Sequence, residues 1–137
     1  MPKYTYILLF AALIFLHSTI ASAETALPNT VTELRIELDR INFDLKENDQ
    51  LNRLKHLIDH TIKLADQNPK DTGYLLMAGF YNIQYASNLG GVGAIKYAKT
   101  ARGYLDRSIA VDPTLFGASA HAVLGRMYVS IPGWPLA

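Results

Sequence analysis

The sequence predicts an all-α protein built of antiparallel helical hairpins. Apolar residues recur at intervals of three and four in five successive stretches between Leu34 and Tyr128, the spacing that lines one face of a helix. Pro69 and Pro113 each end one such stretch and precede another, because the residue before a proline is pushed out of the helical conformation. No stretch sustains the alternation of a half-buried strand. The one local hint, Ile36-Glu37-Leu38, is outweighed by the cap before it and the longer period around it.

The first helix opens at Thr30-Val31-Thr32-Glu33, where Thr30 can cap and Glu33 can reach back in a capping box. Leu34, Leu38, Ile41 and Leu45 follow on one face. Arg35–Asp39 and Arg40–Asp44 are spaced to pair along the helix, each worth about 0.2–0.5 kcal/mol. A polar break over residues 46–50 supplies Asn48 or Asp49 as the next cap. The second helix, residues 49–68, carries the stripe Leu51, Leu54, Ile58, Ile62 and Ala65. The third, from Asp71 or Thr72 to about Ser87, is apolar almost all round and so packs on several sides. The turn Asn88-Leu89-Gly90-Gly91-Val92-Gly93 leads to a fourth helix over residues 94–111. Its buried face holds Ala94, Tyr97, Ala98, Ala101, Leu105, Ser108 and Ile109. A fifth helix runs from about Phe116 to Val129, and Ile131-Pro132-Gly133-Trp134-Pro135 breaks it.

The chain of 137 residues begins with a different kind of segment. Lys3, the apolar run from Ile7 to Leu16, and the small residues Ala21-Ser22-Ala23 form the pattern of a secretory signal peptide cleaved after Ala23. The run is too short for a transmembrane anchor of about 20 residues, and no cysteine follows for lipid attachment. Removing 23 of the 137 residues leaves 114, with 12 basic residues against 12 acidic. They form one domain, residues 30–137, after a polar linker at 24–29. A neutral chain without a basic block argues against nucleic acid as partner. An exported chain with no cysteine must rely on core burial, not disulfides. The expected location is the periplasm, with no stable membrane insertion after cleavage.

Few residues suggest chemistry. Tyr74, Ala78, Tyr81 and Tyr85 share one face of the third helix. They form either a core face whose hydroxyls reach its rim or a tyrosine-lined binding groove, with Tyr74, Tyr81 and Tyr85 as candidate contacts. His56 and His60 could share a metal by spacing, but no third ligand accompanies them, so a solvated face is expected. His121 is expected to be a packing histidine among alanines. Gly90-Gly91-Val92-Gly93 lacks the strand and the Gly-Lys-Ser/Thr ending of a phosphate loop. Lys96, Lys99, Arg102 and Arg107 form a modest basic edge. With no cysteine and no Gly-x-Ser-x-Gly, no catalytic residue, cofactor or metal is expected.

The strongest pattern lies between Ala101 and Tyr128. Ala101, Leu105, Ser108 and Pro113 stand at intervals of four, three and five. Leu124-Gly125, with Tyr128 three residues on, marks the inward face of the next helix. Gly79 lies ten residues after Pro69, and Gly125 twelve after Pro113, each in a small-residue segment where a neighbouring helix can approach. This resembles the tetratricopeptide repeat, whose second helix carries small, large, small and proline at those intervals and whose first carries Leu-Gly and Tyr. Ala78-Gly79 match in part, with Asn82 where the tyrosine would stand. Pro69 and Pro113 are 44 residues apart, against about 34 for the family. The excess falls near residues 88–93, so the flanking helices or their loop are longer. The tail from Tyr128 to Pro135 resembles a segment of exported tetratricopeptide-like proteins, including the T-component of TRAP transporters, in which the Pro-Gly-Trp-Pro corner leads into another helix.

The resemblance implies a short stacked solenoid that binds a protein or peptide, with the solute-binding protein of a TRAP-type uptake system as partner. It also implies a chain truncated after the first helix of a repeat, which would leave Trp134 exposed and favour association into oligomers. A carrier holding a small apolar ligand between its helices is the alternative.

Overall fold

A computed structural model describes residues 26–130. The expected signal peptide and the Pro-Gly-Trp-Pro corner lie outside the described residues. Five helices follow one another: α1 (Val31–Asp44), α2 (Glu47–Gln67), α3 (Thr72–Leu89), α4 (Gly91–Val111) and α5 (Leu115–Ser130), with no strand among the described residues. The all-α reading holds.

The capping box forms as expected: Glu33 N–H donates to Thr30 Oγ1 at 3.1 Å, and Thr30 N–H donates to Glu33 Oε2 at 3.1 Å. Asn29 N–H adds a third bond to the same carboxylate at 2.9 Å. These backbone donors, Asn29 first and Thr30 next, hold the Glu33 carboxyl below its ordinary range. Asp71 caps α3 through Gly73 and Tyr74 N–H. The start of α2 departs from expectation. It begins at Glu47 after Lys46, with no side-chain cap, so neither Asn48 nor Asp49 caps it. Gln50 instead turns back and donates to the carbonyls of Leu45 and Asn42 at 2.9 and 3.3 Å, satisfying the end of α1.

The α3–α4 connection is also shorter than expected. One residue, Gly90, separates the helices, and Gly90 and Gly91 take φ values of 65° and 60°, the left-handed region open to glycine. The extra length between the two prolines therefore lies in the helices α3 and α4, of 18 and 21 residues, and not in a loop.

Consecutive helices pack against each other throughout, and α3 also touches both α1 and α5. The backbones of α2 and α4 do not approach one another, nor do those of α1 and α5; α2 and α4 meet through side chains, Tyr104 and Arg107 reaching Asp66. The odd-numbered helices thus form one row, with α2 and α4 as the intervening layer. Helix α3 is the axis of this arrangement and contributes to every core cluster. Leu34, Ile41, Leu54, Leu57, Met77, Tyr81 and Tyr85 join α1, α2 and α3. Ala65, Leu75, Ala78 and Tyr104 join α2, α3 and α4. Leu76, Ala86, Ala98, Leu105, Leu124 and Met127 join α3, α4 and α5. A helix with neighbours on all these sides has no room for charge, which is why α3 contains none. The α2 stripe is correspondingly wider than its leucines suggest, since Leu57 and Thr61 are buried while Leu51 and Ile62 are half-buried.

Candidate functional site

The tyrosines of α3 do not line an open groove. Tyr81 is fully buried, and its hydroxyl donates to the Leu34 carbonyl of α1 at 2.9 Å. Burial raises its pKa, and the Glu37 carboxylate adds to the rise. Tyr85 is only 6% exposed and meets the Tyr97 ring of α4 edge-on, with centroids 4.6 Å apart and planes at 73°. Tyr74 is half-buried and donates to the Asn29 carbonyl at 2.9 Å. These residues face α1 and α4, so the candidate binding face is core. The hydroxyls of Tyr74 and Tyr81 find backbone carbonyls, the partner a tyrosine takes when its ring is covered.

The candidate repeat-packing residues divide in two. Gly79, Ala101, Leu105 and Ser108 form the α3–α4 contact and are all buried. A Cβ placed on Gly79 would lie 2.6 Å from Leu105 Cγ and Cδ2, so the leucine occupies the space a side chain would need. Ser108 Oγ donates to the Thr72 carbonyl at 3.2 Å, pinning the end of α4 to the start of α3. Pro113 sits in the exposed turn between α4 and α5, where Asp112 accepts from Thr114 N–H at 2.8 Å. On α5, Leu124 is buried as expected, while Tyr128 is 39% exposed. Gly125 departs from expectation: it is exposed, and no atom of the described residues lies within 4 Å of a Cβ placed there. Its lack of side chain serves no close helix approach among the described residues.

The open apolar feature lies elsewhere on α3. Phe80 and Ile83 are half-buried, rotated about 100° per residue from the sealed tyrosine face. With Gln84 and Ser87 they form one wall of a cleft of about 80 Å³, and Val123, Arg126 and Met127 of α5 form the other. Met127 is its buried floor, whereas Arg126 is exposed. The sequence carries these residues at helical spacing, but in a helix apolar all round nothing distinguishes them from core. Only the position of α5 leaves them uncovered. A second, wider depression of about 460 Å³ lies against α1, where Ile36 and residues 26–29 meet Glu33, Glu37, Arg40 and Arg53. Its acidic groups have partners. Glu37 accepts from Arg40 at 2.9 Å and from Arg53 of α2 at 2.6 Å. The Arg40 bond first, with Arg53 adding to it, lowers the Glu37 pKa against a smaller opposing effect of burial. Arg40 thus turns to Glu37, not to Asp44 as its spacing suggested.

The other polar candidates are structural. His60 is half-buried and donates from Nε2 to the Pro28 carbonyl at 2.8 Å, a bond only a protonated Nε2 can make to a carbonyl. That bond and the Tyr74–Asn29 bond hold residues 28–29, read from sequence as linker, against the helices. No group of three or more metal-ligating side chains gathers around His56 and His60 among the described residues. His121 is exposed, not packed. In the basic edge, Arg107 joins Asp66 of α2 at 3.1 Å, Arg102 joins Asp106 at 3.5 Å, and Lys96 lies 5.6 Å from the Tyr97 ring centre. Tyr104 lies outside the α4 face that the sequence predicts to be buried. It is buried and donates to the same Asp66 at 2.9 Å.

Comparison with protein-family models, with curated proteins and with solved structures finds no match to this chain.

Proposed function

We propose that this chain is a non-catalytic helical-repeat scaffold that binds a protein or peptide partner, its hairpins stacked in the manner of a short tetratricopeptide solenoid. The observation that carries the reading is the cleft between α3 and α5, where Phe80 and Ile83 remain partly open while Leu75, Leu76, Met77, Tyr81 and Tyr85 of the same helix are buried. The row of odd-numbered helices and the Gly79–Leu105 contact support the stacked layout. The carrier alternative has less support. Ligand cavities usually measure about 300–1,000 Å³; the α3–α5 cleft is about 80 Å³, and the wider depression at α1 sets Glu33, Glu37, Arg40 and Arg53 among its apolar residues, a charged lining ill suited to an apolar ligand.

The proposed setting is the periplasm after export. No helix among the described residues is long and apolar enough to cross a membrane. The tail resemblance makes the solute-binding protein of a TRAP-type system the first partner to test. Photo-crosslinking residues placed at Ile83 and Val123 should give the same discrete protein adduct in periplasmic extract, and one placed at Lys55 on the wet face of α2 should give none. Equal labelling from all three positions, or a small apolar molecule released on denaturation with no adduct, would overturn the reading.

A further inference from the structure

The α3–α5 cleft has a charge pattern that specifies its occupant. Across all of α3 and α5 there is no Asp or Glu, and Arg126 is the sole Lys or Arg. That arginine stands on the cleft wall, exposed, and enters no ion pair among the described residues. Of the other arginines, Arg40 and Arg53 share Glu37, Arg102 pairs with Asp106 and Arg107 with Asp66, while exposed Arg35 on α1 likewise enters no ion pair among the described residues but borders no apolar cleft of this kind. The rest of the cleft is apolar, from Phe80, Ile83, Val123 and Met127, with the neutral side chains of Gln84 and Ser87 at its edge. An unpaired guanidinium beside a small apolar hollow presents a planar fork of donors suited to a carboxylate. Nothing else on these two helices competes for that carboxylate or repels it.

We infer that the occupant is a partner-protein segment that places one apolar side chain between Phe80, Ile83, Val123 and Met127 and an Asp or Glu carboxylate on Arg126. The inference rests on the scaffold reading and names the chemistry of its site. A hollow of about 80 Å³ admits the end of a single aliphatic or methionine side chain, not a chain of lipid. The apolar contact supplies affinity and the arginine supplies selection, because a basic segment would bring like charge against a cation with no neighbouring acid to offset it. Gln84 and Ser87 stand at the rim, able to hydrogen-bond the backbone of the incoming segment.

The test uses the full chain with a phage-displayed library of random dodecapeptides, selected at physiological salt. The wild type should enrich sequences with Asp or Glu within four positions of Leu, Ile, Val or Met. Peptides so selected should bind Arg126→Gln about tenfold more weakly, the loss expected of one charge-assisted bond. Arg126→Glu should select basic residues in place of acidic ones. Because Arg126 is exposed, both variants should keep the wild-type circular dichroism and melting temperature. Enrichment of apolar peptides without acidic preference, or an acidic preference unchanged in Arg126→Glu, overturns the inference and leaves the scaffold reading standing. No enrichment over an unrelated bait overturns both. A concentration-dependent dimer of the wild type that Arg126→Glu dissolves would make the occupant a second copy of this chain, and would overturn the inference as stated.

Discussion

Tyr81 and Asn82 are adjacent on α3, both fully buried, and their polar atoms have opposite fates. The Tyr81 hydroxyl crosses to α1 and finds the Leu34 carbonyl. Asn82 donates through Nδ2 to the Ala78 carbonyl one turn back at 2.9 Å, and its Oδ1 has no partner among the described residues. A buried acceptor without a donor costs about 1–3 kcal/mol. Leucine has the same branching as asparagine and no polar atom to desolvate. Asn82→Leu is therefore expected to stabilise the chain by roughly 1 kcal/mol, read as a higher urea midpoint with an unchanged slope. A loss of stability would show that Oδ1 is satisfied, for instance by an ordered water.

At the scale of helices, two glycines with similar sequence surroundings make opposite predictions. Gly79 meets Leu105 so closely that Gly79→Ala must displace the leucine or separate α3 from α4. The expected loss is about 1–3 kcal/mol from overpacking, less the gain of up to about 1 kcal/mol from replacing a helical glycine. Gly125→Ala meets nothing among the described residues and should gain that propensity term alone. Thermal melts of both variants check the pair, and a destabilised Gly125→Ala would mean that another element packs there. The contrast shows what was legible in the sequence. The Thr30–Glu33 box and the corners at Pro69 and Pro113 act within four residues, so they could be read locally. The small-large-small pattern of Ala101, Leu105 and Ser108 could also be read, because it records the imprint of a neighbour on one helix face. Gly125 carries the same local signal without the neighbour. The single-residue connection at Gly90 was hidden because three glycines in four residues allow either a loop or a sharp reversal. The cleft was hidden because Phe80 and Ile83 look like core until α5 is placed.

For the whole molecule, the polar ties between distant elements set the pH range of stability. Glu37 joins α1 to α2 through Arg53, and its carboxyl is held below the ordinary value of 4.5. Glu33 is lowered by the backbone donors of Asn29 and Thr30, and Asp112 by the Thr114 hydroxyl and then its N–H. As pH falls, the unfolded chain takes up these protons first, so the stabilisation is complete above the unfolded values and is lost through the folded ones. At the alkaline end the sign reverses. Burial first raises the pKa values of Tyr81, Tyr85 and Tyr104 above the ordinary 10.0, and Asp66 adds to the rise at Tyr104. Their contribution is complete below 10 and declines as pH climbs, because the unfolded tyrosines release protons first. Stability should form a plateau across neutral pH with a fall on each side. Glu37→Gln separates the acid limb from general acid denaturation. Across the plateau the variant should be less stable than wild type by a constant amount, since Arg53 loses its carboxylate partner. Below the ordinary carboxyl value of 4.5 the two should converge, because the wild-type carboxylate is itself being neutralised. Urea titrations between about pH 3 and 8 read this directly. A stability difference that stays constant down to the acid end would show that the Glu37–Arg53 tie contributes through packing alone and that its charge does not link α1 to α2.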